Sequence, residues 1–265
     1  MRALITNDDG IDSAGLYALA LAACRQGFEV VVAAPAQEAS GSSASIIATD
    51  SRAVTAAGGR GHIRIEDRTF RGLDVPAHAV HAAPALIALV AAHGAFGPPP
   101  DLVLSGINRG ANVGRAILHS GTVGAALTGG GSGARALAVS LATGLYPDPP
   151  RWSMAAAVTE RVLALLAENA PGTILNLNVP NVHEEPELVE ASLAPFGIVH
   201  TTVSRRVGDF VSMTIAEPPG AGEEDTDAAL LAAGKATLTR LLGIAASPEP
   251  VLLTPAVEVG GSARS

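Results

Sequence analysis

Short apolar runs that end in polar turns alternate with stretches of helical periodicity through the first 180 residues, and few folds accommodate that order. Ala3-Leu4-Ile5-Thr6 reads as a buried strand, and Leu16, Leu19, Ala20, Ala23 and Cys24 then recur at helical spacing. Gly27 suits a helix C-terminus, and Glu29 to Ala34 is a β-branched run stopped by Pro35. The first 34 residues therefore form a βαβ unit. His62 to Glu66 alternates like a strand with one wet face, Val80 to Ala95 reads as a helix, and Asp101 to Leu104 is a second buried run. A helix from about Val123, a strand over Ala136 to Leu141, a helix over Met154 to Ala167 and a strand over Thr173 to Leu177 repeat the order. The implied class is α/β, with a doubly wound, mostly parallel sheet.

After Pro180 the regularity weakens. Phe210 to Ile215 and Ala236 to Leu241 read as strands, and the tail from Pro248 is punctuated by Pro, Gly and Ser. The expected division is a catalytic core over 1–180 and an extension over 181–265, whose hairpin and tail pack on the core and on a partner subunit.

Composition narrows the partners. A chain of 265 residues with 48% hydrophobic content fills a sizeable core. A formal net charge of −8 argues against a nucleic-acid polymer, which asks for a basic stripe. No apolar run reaches the roughly 18 residues that span a bilayer, and the first residues lack the basic start and cleavage site of a signal peptide. A cytoplasmic location and no membrane partner are expected. Cys24 is the only cysteine, so it forms no internal disulfide, and its helical position makes it core filler.

In open α/β sheets ligands bind beyond the carboxyl ends of the strands. Three loops leave strands at that edge, and each carries oxygen donors. The first is Asn7-Asp8-Asp9-Gly10, where the chain must turn for both carboxylates to face one site, as Gly10 permits. The second offers Ser40 with Gly41, Ser42 and Ser43. The third offers Ser105, Asn108 and Asn112 among Gly106, Gly110 and Gly114. Carboxylate, hydroxyl and amide oxygens are hard ligands that favour magnesium, manganese or calcium over zinc. Ser120-Gly121-Thr122-Val123-Gly124 places hydroxyls and glycines at a helix start, where free N–H groups attract a phosphate. The same residues also serve as a simple helix cap with close packing. Neither a Gly-x-Gly-x-x-Gly after the first strand nor a Gly-Lys-Ser/Thr loop is present, so no organic cofactor is expected.

Taken together, these motifs resemble those of the SurE, or survival-protein, nucleotidases. The resemblance rests on Ile5-Thr6-Asn7-Asp8-Asp9-Gly10 with Gly15-Leu16, on Ala34-Pro35 followed by Ser40-Gly41, on Ser105 to Gly114, and on Ser120 to Ala126. Asn176-Leu177-Asn178-Val179-Pro180 and Thr226-Asp227 add to it, and it covers residues 1–180 best. It implies a Rossmann-like core and one divalent cation per subunit, held by Asp8, Asp9, Ser40 and Asn108. It further implies hydrolysis of nucleoside monophosphates, with Asp8 and Asp9 as the catalytic pair. Asn7, Gly41, Ser105, Gly106, Asn112, Ser120, Gly121 and Thr122 are then expected around the phosphate and substrate. A homo-oligomer, dimer or tetramer, with C-terminal segments exchanged between subunits is implied as well.

The chain departs from the family pattern at Ala36, where an Asp is usual, at Ala39, where a polar or basic residue is usual, at His119 in place of a tyrosine, and at Thr128 in place of an acid. These changes flank the expected metal ligands and bear on substrate preference. They also motivate a second reading, a nucleotide- and metal-binding protein altered in catalysis, and the adjacent Asp8 and Asp9 after the first strand suit a third, a metal-dependent nucleoside or glycosyl hydrolase whose cation holds sugar hydroxyls. Elsewhere, His78 and His81 read as a helix-start pair, Glu223-Glu224-Asp225 as a solvated acid run before a helix, and Arg205-Arg206 as an exposed strand end.

Overall fold

A computed structural model of the chain describes residues 1–48, 61–70, 72–144, 148–195, 200–207, 210–216 and 224–245. The β-branched run at Glu29–Pro35 (β2) and the apolar run at Arg2–Thr6 (β1) pair in parallel, joined by helix α1 over Ala14–Arg25. Ser13 caps α1 by accepting the Leu16 N–H, and Gly27, with φ +77°, follows its last turn. Strand β3, Ile65–Arg68, runs antiparallel to β4, Ala77–Val80, and β4 pairs in parallel with β2.

Helix α2 covers Pro84–Ala92, so the helix expected from Val80 begins four residues later, behind a strand. Val80 and its alanine neighbours fit either period, and Pro84 at the first helical position marks the true start, because its fixed φ suits a helix and its missing N–H is not needed there. His78 therefore lies on a strand and His81 just after it. Each meets a carboxylate of β3, His78 Nδ1 at 2.9 Å from Asp67 and His81 Nε2 at 3.0 Å from Glu66. They are cross-strand partners, not a helix-start pair.

Strand β5 (Leu102–Arg109), a 3-10 helix (Gly114–His119), α3 (Gly121–Gly131), β6 (Arg135–Ala142), α4 (Trp152–Glu168) and β7 (Ile174–Pro180) complete the parallel part. Spatial order along the sheet is β3-β4-β2-β1-β5-β6-β7-β11-β8, where β8 is Leu188–Glu190 and β11 is Ala236–Leu241. The doubly wound, mostly parallel sheet expected from the alternation is thus the fold. The sheet does not stop at Pro180, because β11 pairs antiparallel with β7 and parallel with β8. Strands β9 (His200–Val207) and β10 (Phe210–Ala216) form a separate antiparallel hairpin, and helix α5 spans Asp227–Ala232. Glu223 and the tail from Pro248 lie outside the described residues, as do the side chains of Arg205 and Arg206.

Alternation along the strands divides the core into two layers. Ile5, Leu104 and Leu137 face α1 and α4 with Leu16, Leu19, Val158 and Leu163. Leu4, Val31 and Val103 face α2 and α3 with Ile87, Val123 and Ala126. The glycines of α3 cost helix propensity but let it settle on the sheet. A Cβ at Gly129 would lie 2.6 Å from that of Val103, and one at Gly130 2.3 Å from Ile174 Cγ1. The strand order reverses between β1 and β5, so the loops after those two strands open a crevice at the carboxyl edge. Among the described residues no helix is long and apolar enough to cross a membrane.

Candidate functional site

The loop after β1 is locked from within. Asn7 is buried and uses its carboxamide inside the turn, donating to Gly10 O at 3.1 Å and Ser13 Oγ at 2.7 Å and accepting the Gly10 N–H at 3.2 Å. Gly10 has φ +97°, which favours glycine, and Ile11 N–H bonds to Pro35 O at 2.9 Å. The turn is thereby fixed to the start of α1 and the end of β2.

That frame presents Asp8 and Asp9 differently. Asp8 is only 4% exposed and accepts a hydrogen bond from the Thr122 hydroxyl. Its carboxylate rests on the N-terminal end of α3, where the N–H groups of Thr122 and Gly121 help to hold it. A Cβ at Gly121 would lie 2.9 Å from Asp8 Oδ2 and 2.6 Å from Ser42 Oγ, so the helix reaches Asp8 only because residue 121 has no side chain. Asp9 is more open, and its Oδ2 accepts the Arg109 N–H at 3.2 Å.

The other two loops close on this pair. Ala39 N–H bonds to Asp8 O at 2.7 Å, and Ser40 Oγ donates to Glu38 Oε1 at 2.7 Å. Asn108 directs its amide nitrogen to Gly110 O at 2.8 Å, which leaves its oxygen as the donor atom for a cation. Asn112 is anchored from the sheet interior: its N–H reaches Asn178 Oδ1 at 2.8 Å, its carbonyl accepts from Asn176 at 2.9 Å and Asn178 at 2.8 Å, and its side chain donates to Ser140 at 2.8 Å. The Asn176-Leu177-Asn178 segment thus supports a loop about 64 residues upstream.

One cavity of about 530 Å³ gathers these groups. Of the residues expected around the site, Asp8, Asp9, Ser40, Gly41, Asn108, Asn112 and Ser120 line it. Asn7, Ser105, Gly106, Gly121 and Thr122 are buried and are not part of its lining. Ser105 Oγ and Ser42 Oγ are buried there without a hydrogen-bond partner among the described residues. Ser120 caps α3 by accepting the Val123 N–H at 3.1 Å. Glu38, Arg109 and Ala116 also line the cavity, together with His119. Nothing in the sequence singles out Glu38 and Arg109, although each lies within two residues of an expected oxygen donor, Ser40 or Asn108.

Charge in the cavity is unbalanced. Burial raises the Asp8 carboxyl above its ordinary range, against the pull of its hydrogen bonds to Thr122 and Gly121. Asp9 is pushed up to about 6, first by burial and then by the charges of Asp8 and Glu38, with Arg109 opposing. Among the described residues no three His, Cys, Asp or Glu side chains gather at metal-binding distance. A cation would therefore draw on Ser40 and Asn108 beside the two carboxylates, a hard oxygen set suited to magnesium, manganese or calcium. Such a cation would offset the burial that raises both acids and the repulsion that adds to it at Asp9.

A family model described as "Survival protein SurE" matches residues 3–203, which takes in all three site loops. The chain belongs to the SurE family. Among its SurE relatives, a 5'-nucleotidase SurE of Xanthomonas campestris pv. campestris (strain B100) is 38% identical over 183 residues, covering 69% of this chain and 64% of the relative. A 5'-nucleotidase SurE of Natranaerobius thermophilus is 36% identical over 189 residues, covering 69% of this chain and 68% of that one. The chain thus spans slightly under two thirds of the length of the Xanthomonas relative. In three dimensions, the crystal structure of the SurE protein from Aquifex aeolicus superposes with a TM-score of 0.70 at 27% identity, covering 91% of this chain and 93% of that one. The SurE likeness in sequence ends near residue 203, ahead of α5 and β11.

Proposed function

We propose that this SurE-family chain is a divalent-metal-dependent phosphomonoesterase that hydrolyses nucleoside monophosphates to nucleoside and phosphate. The observation that carries the reading is the convergence of Asp8 and Asp9 with Ser40 and Asn108 on one cavity at the point where the strand order reverses. The names of the matched relatives, 5'-nucleotidase SurE, support the substrate class.

Asp8, Asp9, Ser40 and Asn108 would hold the cation, while Thr122 fixes Asp8, the Arg109 N–H fixes Asp9 and Asn7 locks the turn that carries both. The cation, when bound, supplies Lewis-acid polarisation of a phosphoryl oxygen. The N-terminus of α3 serves this site indirectly, by seating Asp8. Among the described residues Arg109 is the guanidinium on the cavity wall and would meet the phosphate, while His119 would meet the nucleoside side. Replacement R109A is expected to raise KM about tenfold, the size of a lost charged hydrogen bond, with a smaller change in kcat. Steady-state kinetics at saturating manganese check this, and an unchanged KM would remove Arg109 from the substrate.

The pH dependence follows from the raised carboxyls. A group whose folded pKa lies above its unfolded value of 3.8 gives stability that is present below that value and lost as pH rises through the folded pKa, about 6 for Asp9. The metal-free protein is therefore expected to melt at a higher temperature at pH 5.5 than at pH 7.5. Manganese binds the ionised pair and should reverse that order, because its affinity falls as Asp9 takes up a proton. Melting curves in EDTA and in manganese at the two pH values check both signs.

Residues 1–180 are proposed as the catalytic core and 181–265 as an extension that completes the sheet and joins subunits into a homodimer or tetramer, with the β9–β10 hairpin outside the main sheet. Light scattering that gave a monomer would remove this part. The function itself is tested by phosphate release from a panel of phosphomonoesters with magnesium, manganese and EDTA. Nucleoside monophosphates are expected to be cleaved only with a cation. Release of free base, or no release with any cation, would overturn the reading.

A further inference from the structure

Among the described residues the one buried carboxylate outside the cavity is Asp227, in the first turn of α5, and it is fully shielded from solvent. It forms three hydrogen bonds with backbone groups of three segments. Oδ2 accepts the Gly114 N–H at 2.8 Å, and Oδ1 accepts the N–H of Ala194 at 2.9 Å and of Ala228 at 2.8 Å. Ala194 returns the link, its carbonyl accepting the Arg115 N–H at 3.1 Å. Asp227 N–H in turn bonds to Ser192 O at 2.8 Å. Gly114 and Arg115 begin the 3-10 helix whose later residues Ala116 and His119 line the cavity and whose end delivers Ser120, the cap of α3. None of the four expected cation donors lies on that segment.

We infer that Asp227 is a positioning residue that holds the 3-10 helix, and with it the His119 wall of the cavity, in the place where substrate binds. The inference rests on the reading of the cavity as a phosphomonoester site. Charged acceptors make the strongest backbone hydrogen bonds, and a carboxylate can serve donors on both of its oxygens, which a carboxamide cannot. In D227N the amide keeps one accepting oxygen. Serving Ala194 and Ala228 with it leaves an NH₂ facing the Gly114 N–H, so the tether to the cavity wall is the bond lost. The side chain keeps its size.

The test compares wild type, D227N and L231A, the last removing a buried α5 side chain without touching the carboxylate. D227N is expected to raise KM for a nucleoside monophosphate about tenfold, the size of a lost charged hydrogen bond, with kcat within about twofold and the manganese half-saturation unchanged. L231A is expected to lower the melting temperature and leave KM alone. Hydrogen exchange, which needs no substrate, should show Gly114 and Arg115 protected in wild type and faster in D227N, with α3 unaffected. Should D227N not fold, T226A, which removes the cap beside Asp227, carries the same KM split at lower amplitude. An unchanged KM in an active D227N, a KM rise that L231A matches, or Gly114 exchanging freely in wild type would each overturn the inference. Wild type without phosphatase activity would instead overturn the proposed function, and the exchange pattern would then decide the tether by itself.

Discussion

Asp8→Asn is expected to lower cation-dependent phosphate release by about 10³-fold, the scale of losing one preorganised electrostatic group at a reacting phosphate, while leaving the metal-free fold at least as stable as wild type. The two halves have one cause. Asp8 is held almost out of water on the end of α3, and burial raises its carboxyl. With the folded pKa above the unfolded one, ionisation at neutral pH opposes folding, and a neutral carboxamide of the same shape removes that opposition. The Thr122 hydroxyl retains an oxygen to bond. Rates at saturating manganese and melting curves in EDTA measure the two halves separately. An Asp8→Asn protein that kept near-normal turnover would show that the cation, or the chemistry, is elsewhere.

Gly106→Ala should have the largest effect on stability. Gly106 has φ +134°, and a Cβ there would lie 2.3 Å from Val139 O, a backbone atom of β6. No side-chain adjustment relieves a contact with a main-chain carbonyl in the middle of the sheet, so β5 and β6 must part where their register already shifts, between Ser105 and Asn108. A loss of about 3 kcal/mol or more is expected, or roughly 6–12 °C in a domain of this size, with Asn108 and Arg109 displaced and activity falling together with stability. Gly27→Ala is the control, because Gly27 also has positive φ, at +77°, but a Cβ there meets nothing within 4 Å. It should lose only the conformational penalty of about 1 kcal/mol. Equal melting temperatures for the two variants would mean that the close approach at Gly106 is not rigid.

The loops that meet at the site were readable in the sequence because strand order follows from alternation. Runs such as Leu4-Ile5 and Val103-Leu104 mark buried parallel strands, and ligands collect at their carboxyl ends. What the sequence could not show was which way each polar group turns. Asn7 and Asp8 are neighbours of similar size, yet one carboxamide closes its own turn and the other side chain faces the cavity. Gly121 and Thr122 look like free donors for a phosphate until Asp8 is seen lying on them. Glu38 and Arg109 are not singled out by the sequence, because nothing local distinguishes a charge that enters a cavity from one that enters water. The Val80–Ala95 run failed for a different reason. Alanine fits both periods, and only Pro84 carried the boundary.

The bond from Gly114 to Asp227 closes a loop of 113 residues, and this separates the order in which the site is made from the order in which it is finished. During synthesis Asp8, Asp9, Ser40 and Asn108 all leave the ribosome well before α5 does. At about 5–20 residues per second the interval is on the order of ten seconds. A nascent chain in that interval carries every donor proposed for a cation but has a wall still untethered. On the proposed reading, cation capture would come early in the life of the molecule and discrimination among substrates late, so a chain stalled or clipped ahead of α5 would hold metal without choosing what it acts upon.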